Sequence, residues 1–95
     1  MQAKIWNHSE WIKETDPSIL KSFLKELLIS SKFEVLRFTE HYFHPYGYTA
    51  LWLLAESHLA VHTFPEEEKS YIELSSCMLD KYVLFLKLLE ESNWR

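Results

Sequence analysis

Apolar and polar positions change their period along the chain, and the changes mark out its elements. After Asp16-Pro17, the apolar residues Leu20, Phe23, Leu24, Leu27 and Leu28 recur at helical spacing, with Lys21, Lys25 and Glu26 between them. Asp16 can cap this helix, and Pro17 is tolerated in its first turn. A second helix is predicted to open near Leu79-Asp80 and end near Ser92, with Leu79, Tyr82, Val83, Leu86 and Leu89 on one stripe. Each helix has one apolar face, as expected of helices that cover one side of a sheet.

The remaining segments read as strands. Lys4 to Lys13 is short, aromatic-rich and expected at a sheet edge. Phe33 to Phe43 carries Phe33, Val35, Phe38, Tyr42 and Phe43 and ends at His44-Pro45, where Pro45-Tyr46-Gly47 is a turn signal. Tyr48 to Phe64 is apolar almost throughout, broken only by Glu56-Ser57-His58. This run is too long for one ordinary strand, so two strands joined around Glu56-Ser57 are expected. Pro65 to Glu68 makes the next turn, and Tyr71 to Cys77 alternates as a final strand. The predicted fold class is α+β: a two-layer sandwich in the order β-α-β-β-β-α, with two helices on one face of a mostly antiparallel sheet. No repeat or low-complexity tract interrupts it, so residues 1–95 read as a single domain. The second face of the sheet also reads as apolar, which predicts a homodimer.

Composition narrows the function classes. The chain has 95 residues, 47% hydrophobic and 16% aromatic, enough for one core. Its formal charge of −4 argues against nucleic acid as a partner. The single cysteine, Cys77, excludes a disulfide framework within the chain and suits a reducing, cytoplasmic compartment. No apolar run reaches the ~18–20 residues of a membrane span, and the first residues lack a signal-peptide pattern.

Glu56-Ser57-His58 stands out because ionised groups inside an apolar run are costly unless they are paired or solvated. The plain reading is a hairpin tip open to water. His62, among Leu59, Val61 and Phe64, reads singly as a packed histidine, and Cys77 singly as a small buried hydrophobe. His58 and His62 have the spacing of a helical zinc pair, but the segment is β-like. His41, His44, His58 and His62 could meet only by tertiary coincidence, so no metal is expected. A nucleophile elbow needs glycines that Ala55-Glu56-Ser57-His58-Leu59 lacks, and Gly47 alone cannot make a phosphate loop.

Taken together, these residues carry a resemblance. Gly47-Tyr48-Thr49-Ala50, then Leu54-Ala55-Glu56-Ser57-His58, then His62-Thr63-Phe64-Pro65-Glu66, and finally Cys77, resemble the bacterial and archaeal S-adenosylmethionine decarboxylases in order and spacing. The match covers about residues 41–77. It implies a proenzyme that cuts itself between Glu56 and Ser57: the Ser57 hydroxyl attacks the Glu56 carbonyl, and elimination converts residue 57 into a pyruvoyl group, the cofactor. It also implies that Thr49 assists processing and that His62 is the base that removes the Ser57 α-proton. The pyruvoyl forms a Schiff base with the substrate amine and acts as an electron sink, and Cys77 reprotonates the product. Phe43 stacks on the substrate's adenine, and Glu66 holds its ribose. The implied function is decarboxylation of S-adenosylmethionine for polyamine (spermidine) biosynthesis.

The chain also departs from the pattern. Met78 follows Cys77 where the family usually has glycine. Ile72-Glu73-Leu74-Ser75-Ser76 replaces an Asp-containing V-D-V-F-T strand, and His8 to Lys13 resembles the family's first strand poorly. Two alternatives therefore stay open. One is a pyruvoyl-dependent decarboxylase of ornithine or arginine. The other is a non-catalytic relative that binds a nucleoside or a partner subunit.

Overall fold

The computed structural model describes residues 4–92. It contains β1 (Trp6–Ile12), α1 (Pro17–Ser30), β2 (Val35–Tyr42), β3 (Tyr48–Leu54), β4 (Ser57–Phe64), a 3-10 turn (Pro65–Glu67), β5 (Lys69–Ser76) and α2 (Leu79–Glu90). The fold class is the expected α+β sandwich. The order is β-α-β-β-β-β-α: the Tyr48–Phe64 run forms two strands as expected, so the five strands match the segments read from the sequence and the six-element order counts one strand too few. The five strands lie in the spatial order β1-β5-β4-β3-β2, and every neighbouring pair is antiparallel. β2 to β5 form a meander of short turns, whereas α1 links β1 and β2 at opposite edges.

Local chemistry sets the helix ends. Asp16 caps α1 by accepting from the Ile19 backbone N–H at 3.1 Å, and Pro17 occupies the first turn. The chain leaves α1 through Ser31, whose hydroxyl donates to the Leu27 carbonyl at 2.7 Å, and through Lys32, which is left-handed at φ 73°. Leu20, Leu24, Leu27 and Leu28 are buried as the spacing predicts, while Phe23 packs partly against the core. α2 is rotated from its expected stripe. Phe85 and Leu89 are buried, and Tyr82 and Leu86 are partly so. Leu79 and Val83, expected on that stripe, are exposed.

Alternation divides the sheet into two faces. Ile12, Tyr48, Ala50, Trp52, Leu54, Leu59, Val61, Ile72 and Leu74 are buried and form one core with the helices. The other face carries cross-strand rows. One runs Asn7–Ser75–His58–Leu53–Arg37, and another runs Trp11–Tyr71–His62–Thr49–His41. This open face is mixed rather than apolar, contrary to expectation: Trp11, Leu51 and Leu53 are exposed on it beside three histidines, Arg37 and Glu73. The alternation that buries Leu59 and Val61 necessarily turns His58 and His62 the other way. β2 is exposed along its whole length.

Candidate active site

The hairpin between β3 and β4 is tighter than an open tip. Leu54 pairs with Ser57, which leaves Ala55-Glu56 as a two-residue loop. Glu56 takes the left-handed conformation at φ 57°. A non-glycine residue there stores about 1–3 kcal/mol of strain and persists only where its surroundings hold it. Two backbone bonds do so. The Ala55 N–H donates to the Glu34 carbonyl at 3.0 Å, and the Glu56 carbonyl accepts from the Cys77 N–H at 3.3 Å. Glu56 and His58 are solvated as expected, but Ser57 is buried at 8% exposure. Its hydroxyl donates to Ser76 Oγ at 2.7 Å.

One strand therefore places a buried hydroxyl immediately after a strained peptide whose carbonyl is already polarised by an N–H donor. A donor aimed at a carbonyl stabilises negative charge that develops on its oxygen. Cys77 itself is exposed and supplies that donor from the backbone. Leu36, Leu53, Glu56, Ser57, His58, Ser75, Ser76 and Cys77 line a cleft of about 410 Å³ at this end of the sheet.

The other candidates gather at the far end of the same strand pair. Thr49 and His62 are directly opposite in register, and Thr49 Oγ1 lies 2.9 Å from His62 Nδ1. Phe43, Tyr46, Gly47, Thr49, His62, Thr63, Phe64 and Glu66 line a cavity of about 320 Å³. Gly47, at φ 115°, turns the chain so that its carbonyl accepts from the Phe43 N–H at 2.9 Å. Trp11 packs edge-on against Tyr71 and Phe64 beside this region, with ring centroids 4.9 and 5.6 Å away, and the Lys69 ammonium sits 4.3 Å from its ring. Behind the start of β3, burial and the Glu40 hydrogen bond push the Tyr48 hydroxyl well above the ordinary tyrosine range.

The seven sequence-predicted site residues thus fall into two groups: Glu56, Ser57 and Cys77 at one end, and Phe43, Thr49, His62 and Glu66 at the other. Ser57 and His62 are five residues apart on β4, or about 16 Å at ~3.3 Å per residue, and they point to opposite faces. No rotamer closes that gap within one chain. Among the described residues, no three His, Cys, Asp or Glu side chains come together as metal ligands. The structure adds two residues that the sequence did not single out, Ser76 beside Ser57 and Tyr46 in the second cavity. The departure at Met78 is conformationally mild, because φ −104° needs no glycine.

The model of one family, S-adenosylmethionine decarboxylase, matches residues 7–92. The chain belongs to that family. It is 34% identical over 65 residues to the S-adenosylmethionine decarboxylase proenzyme of Prochlorococcus marinus strain MIT 9313, an alignment covering 68% of this chain and 52% of that protein. It is 46% identical over 43 residues to S-adenosylmethionine decarboxylase proenzyme 2 of Bacillus cereus, covering 45% of this chain and 35% of that protein. The chain thus spans between about a third and a half of the length of these curated relatives. Its fold is similar to the crystal structure of the adenosylmethionine decarboxylase from Aquifex aeolicus, with a TM-score of 0.75 at 17% identity over 92% of this chain and 78% of that one. Family and fold agree with the resemblance carried by residues 41–77. The matched region also takes in β1 from Asn7 onward, a strand that departs from the pattern. Among the described residues, no helix is long and apolar enough to cross a membrane.

Proposed function

We propose that this chain is a self-cleaving, pyruvoyl-dependent decarboxylase of S-adenosylmethionine in polyamine biosynthesis. The observation that carries the reading is the Glu56–Ser57 peptide. Its carbonyl belongs to a left-handed residue and accepts a backbone N–H, and the hydroxyl that would attack it is buried next door. Attack of Ser57 Oγ on the Glu56 carbonyl carbon converts the amide to an ester and relieves the strain at Glu56. Loss of the Ser57 α-proton then expels the Glu56 carboxylate. Residue 57 becomes a dehydroalanine terminus, and addition of water to its imine tautomer releases the nitrogen as ammonia and leaves the pyruvoyl. The site fits that group, because a serine with its hydroxyl intact stands at the position it would come from.

When formed, the pyruvoyl supplies an electron sink for the bond pair left by CO₂. The chain's own residues do the rest. Cys77, exposed at the rim of the first cleft, donates the proton that completes the product. Phe43 offers a ring to an adenine, and the Glu66 carboxylate accepts from ribose hydroxyls. His62, with its Nδ1 fixed by Thr49, serves as the base. An acidic, aromatic site suits a cationic sulfonium substrate.

The separation of the two groups supports a homodimer. Two open faces packed about a two-fold axis that crosses the strands would lay the Ser57 end of one sheet over the His62 end of the other, so that each complete site would draw on both chains. The mixed open face, with Trp11, Leu51 and Leu53 among polar groups, suits such an interface.

The experiment is CO₂ release from carboxyl-labelled S-adenosylmethionine, ornithine, arginine and lysine by the purified protein. Turnover of S-adenosylmethionine alone supports the reading. Turnover of ornithine or arginine keeps the chemistry and replaces the substrate. Release from none of the four contradicts decarboxylation and leaves a binding relative.

A further inference from the structure

Ser76 occupies the end of β5, in the segment that departs from the family's usual strand. Its side chain is 1% exposed, and Ser57 lies directly across the sheet from it. The Ser57 hydroxyl donates to Ser76 Oγ at 2.7 Å. Ser76 Oγ in turn accepts from the Met78 N–H at 2.9 Å, with the Met78 carbonyl 3.4 Å away as acceptor for its own proton. Ser76 is thereby fixed on a backbone turn rather than held by a mobile side chain. The next residue of that turn donates its N–H to the Glu56 carbonyl.

We infer that Ser76 is a positioning residue for self-cleavage, an inference that rests on the proposed function and deepens it. A serine has one O–H donor and two lone pairs. Ser76 Oγ accepts the one proton of the Ser57 hydroxyl, which fixes that hydroxyl and leaves a Ser57 lone pair free to attack. In the acyl shift, the bond from Ser57 Oγ to the Glu56 carbonyl carbon forms, the bond from that carbon to the Ser57 nitrogen breaks, and the proton leaving Oγ ends on the nitrogen. Ser76 consumes nothing in this exchange. It holds the nucleophile while the Cys77 N–H holds the electrophile, so one turn of β5 grips both partners. Loose placement of a nucleophile costs one to two orders of magnitude in rate.

The test is the half-time of Glu56–Ser57 cleavage, followed by intact mass on freshly synthesised precursor of the full chain. Ser76→Ala is expected to lengthen it roughly tenfold to a hundredfold. Ser76→Thr keeps the hydroxyl and is expected to cleave within about threefold of the parent, whereas Ser76→Val, of the same shape without the hydroxyl, is slow like Ser76→Ala. Thermal unfolding of the Thr and Val variants is measured in parallel, since a purely structural role moves melting temperature without separating their cleavage rates. Parent that cleaves while Ser76→Ala or Ser76→Val keeps pace overturns the role of Ser76 alone. Parent that never cleaves overturns the self-cleaving reading and this inference with it.

Discussion

The two ends of the β3–β4 hairpin are built from the same strands and do opposite things. At the turn end, Glu56, Ser57, Ser76 and Cys77 are fixed by a close network of backbone and side-chain hydrogen bonds, and the Ser57 hydroxyl is buried. At the far end, Phe43, Thr49, His62 and Glu66 line an open cavity, with a single side-chain bond between Thr49 and His62. Under the proposed function the turn end acts on its own chain, where strain and fixed placement count, and the far end receives the substrate, where access counts. On the proposed function neither end would be a complete site alone, and about 16 Å of β4 separates Ser57 from His62.

The sharpest break in this comparison comes from Ser57→Ala. It should abolish cleavage altogether and with it CO₂ release, while the uncut chain still folds, as followed by circular dichroism. Fragments from that variant in denaturing mass spectrometry would mean that the turn end does not act on itself. Next in size is complementation. Ser57→Ala and His62→Ala should each be inactive, yet co-expression should restore about a quarter of parental activity, because half the dimers are mixed and each carries one complete site. Mixtures that stay inactive would place each site within one chain.

A smaller effect is expected at the receiving end. Glu66→Gln should raise KM about tenfold or more for S-adenosylmethionine through loss of a charged acceptor, and leave the cleavage half-time unchanged. A change in cleavage instead would erase the division between the ends.

The smallest effects concern the support of the receiving end. The Tyr48 hydroxyl donates to Glu40 Oε1 at 2.7 Å, and Lys21 lies 2.9 Å from the same oxygen. These partners, Tyr48 first, hold the Glu40 carboxyl below its ordinary value of 4.5. A group lowered in the folded state contributes stability above its unfolded value, and the contribution is lost as pH falls through the folded one. Tyr48→Phe should therefore lower the melting temperature by a few degrees at pH 7, with the difference shrinking toward pH 3. An equal difference at both pH values would remove Glu40 from the account. Thr63, in the cavity wall, has a buried hydroxyl without a hydrogen-bond partner among the described residues. Thr63→Val should raise stability by about 1 kcal/mol in urea unfolding. A loss would show that the hydroxyl is satisfied in solution.

Much of the fold was legible because its signals are local. Asp16-Pro17 announced α1, and the length of the Tyr48–Phe64 run announced a hairpin. The face presented by α2 was misjudged because Val83 and Phe85 both continue an apolar period, and only packing against the sheet decides between them. The open face was misjudged because its polar groups are spread over five strands, and cross-strand rows exist only after register is set. The family was legible from the motif that runs Thr49 through Cys77, whereas the placement of those residues in space was not. Period-two alternation over five residues already puts Ser57 and His62 on opposite faces, and that spacing was available in the sequence. Ser76 was not: its contact with Ser57 depends on β5 lying beside β4 in one register.

The most direct measurement is the intact mass of the purified protein under denaturing conditions. The account predicts two chains, residues 1–56 and residues 57–95, the second blocked at its N-terminus by a pyruvoyl group. A single uncut chain after long incubation at neutral pH would contradict it.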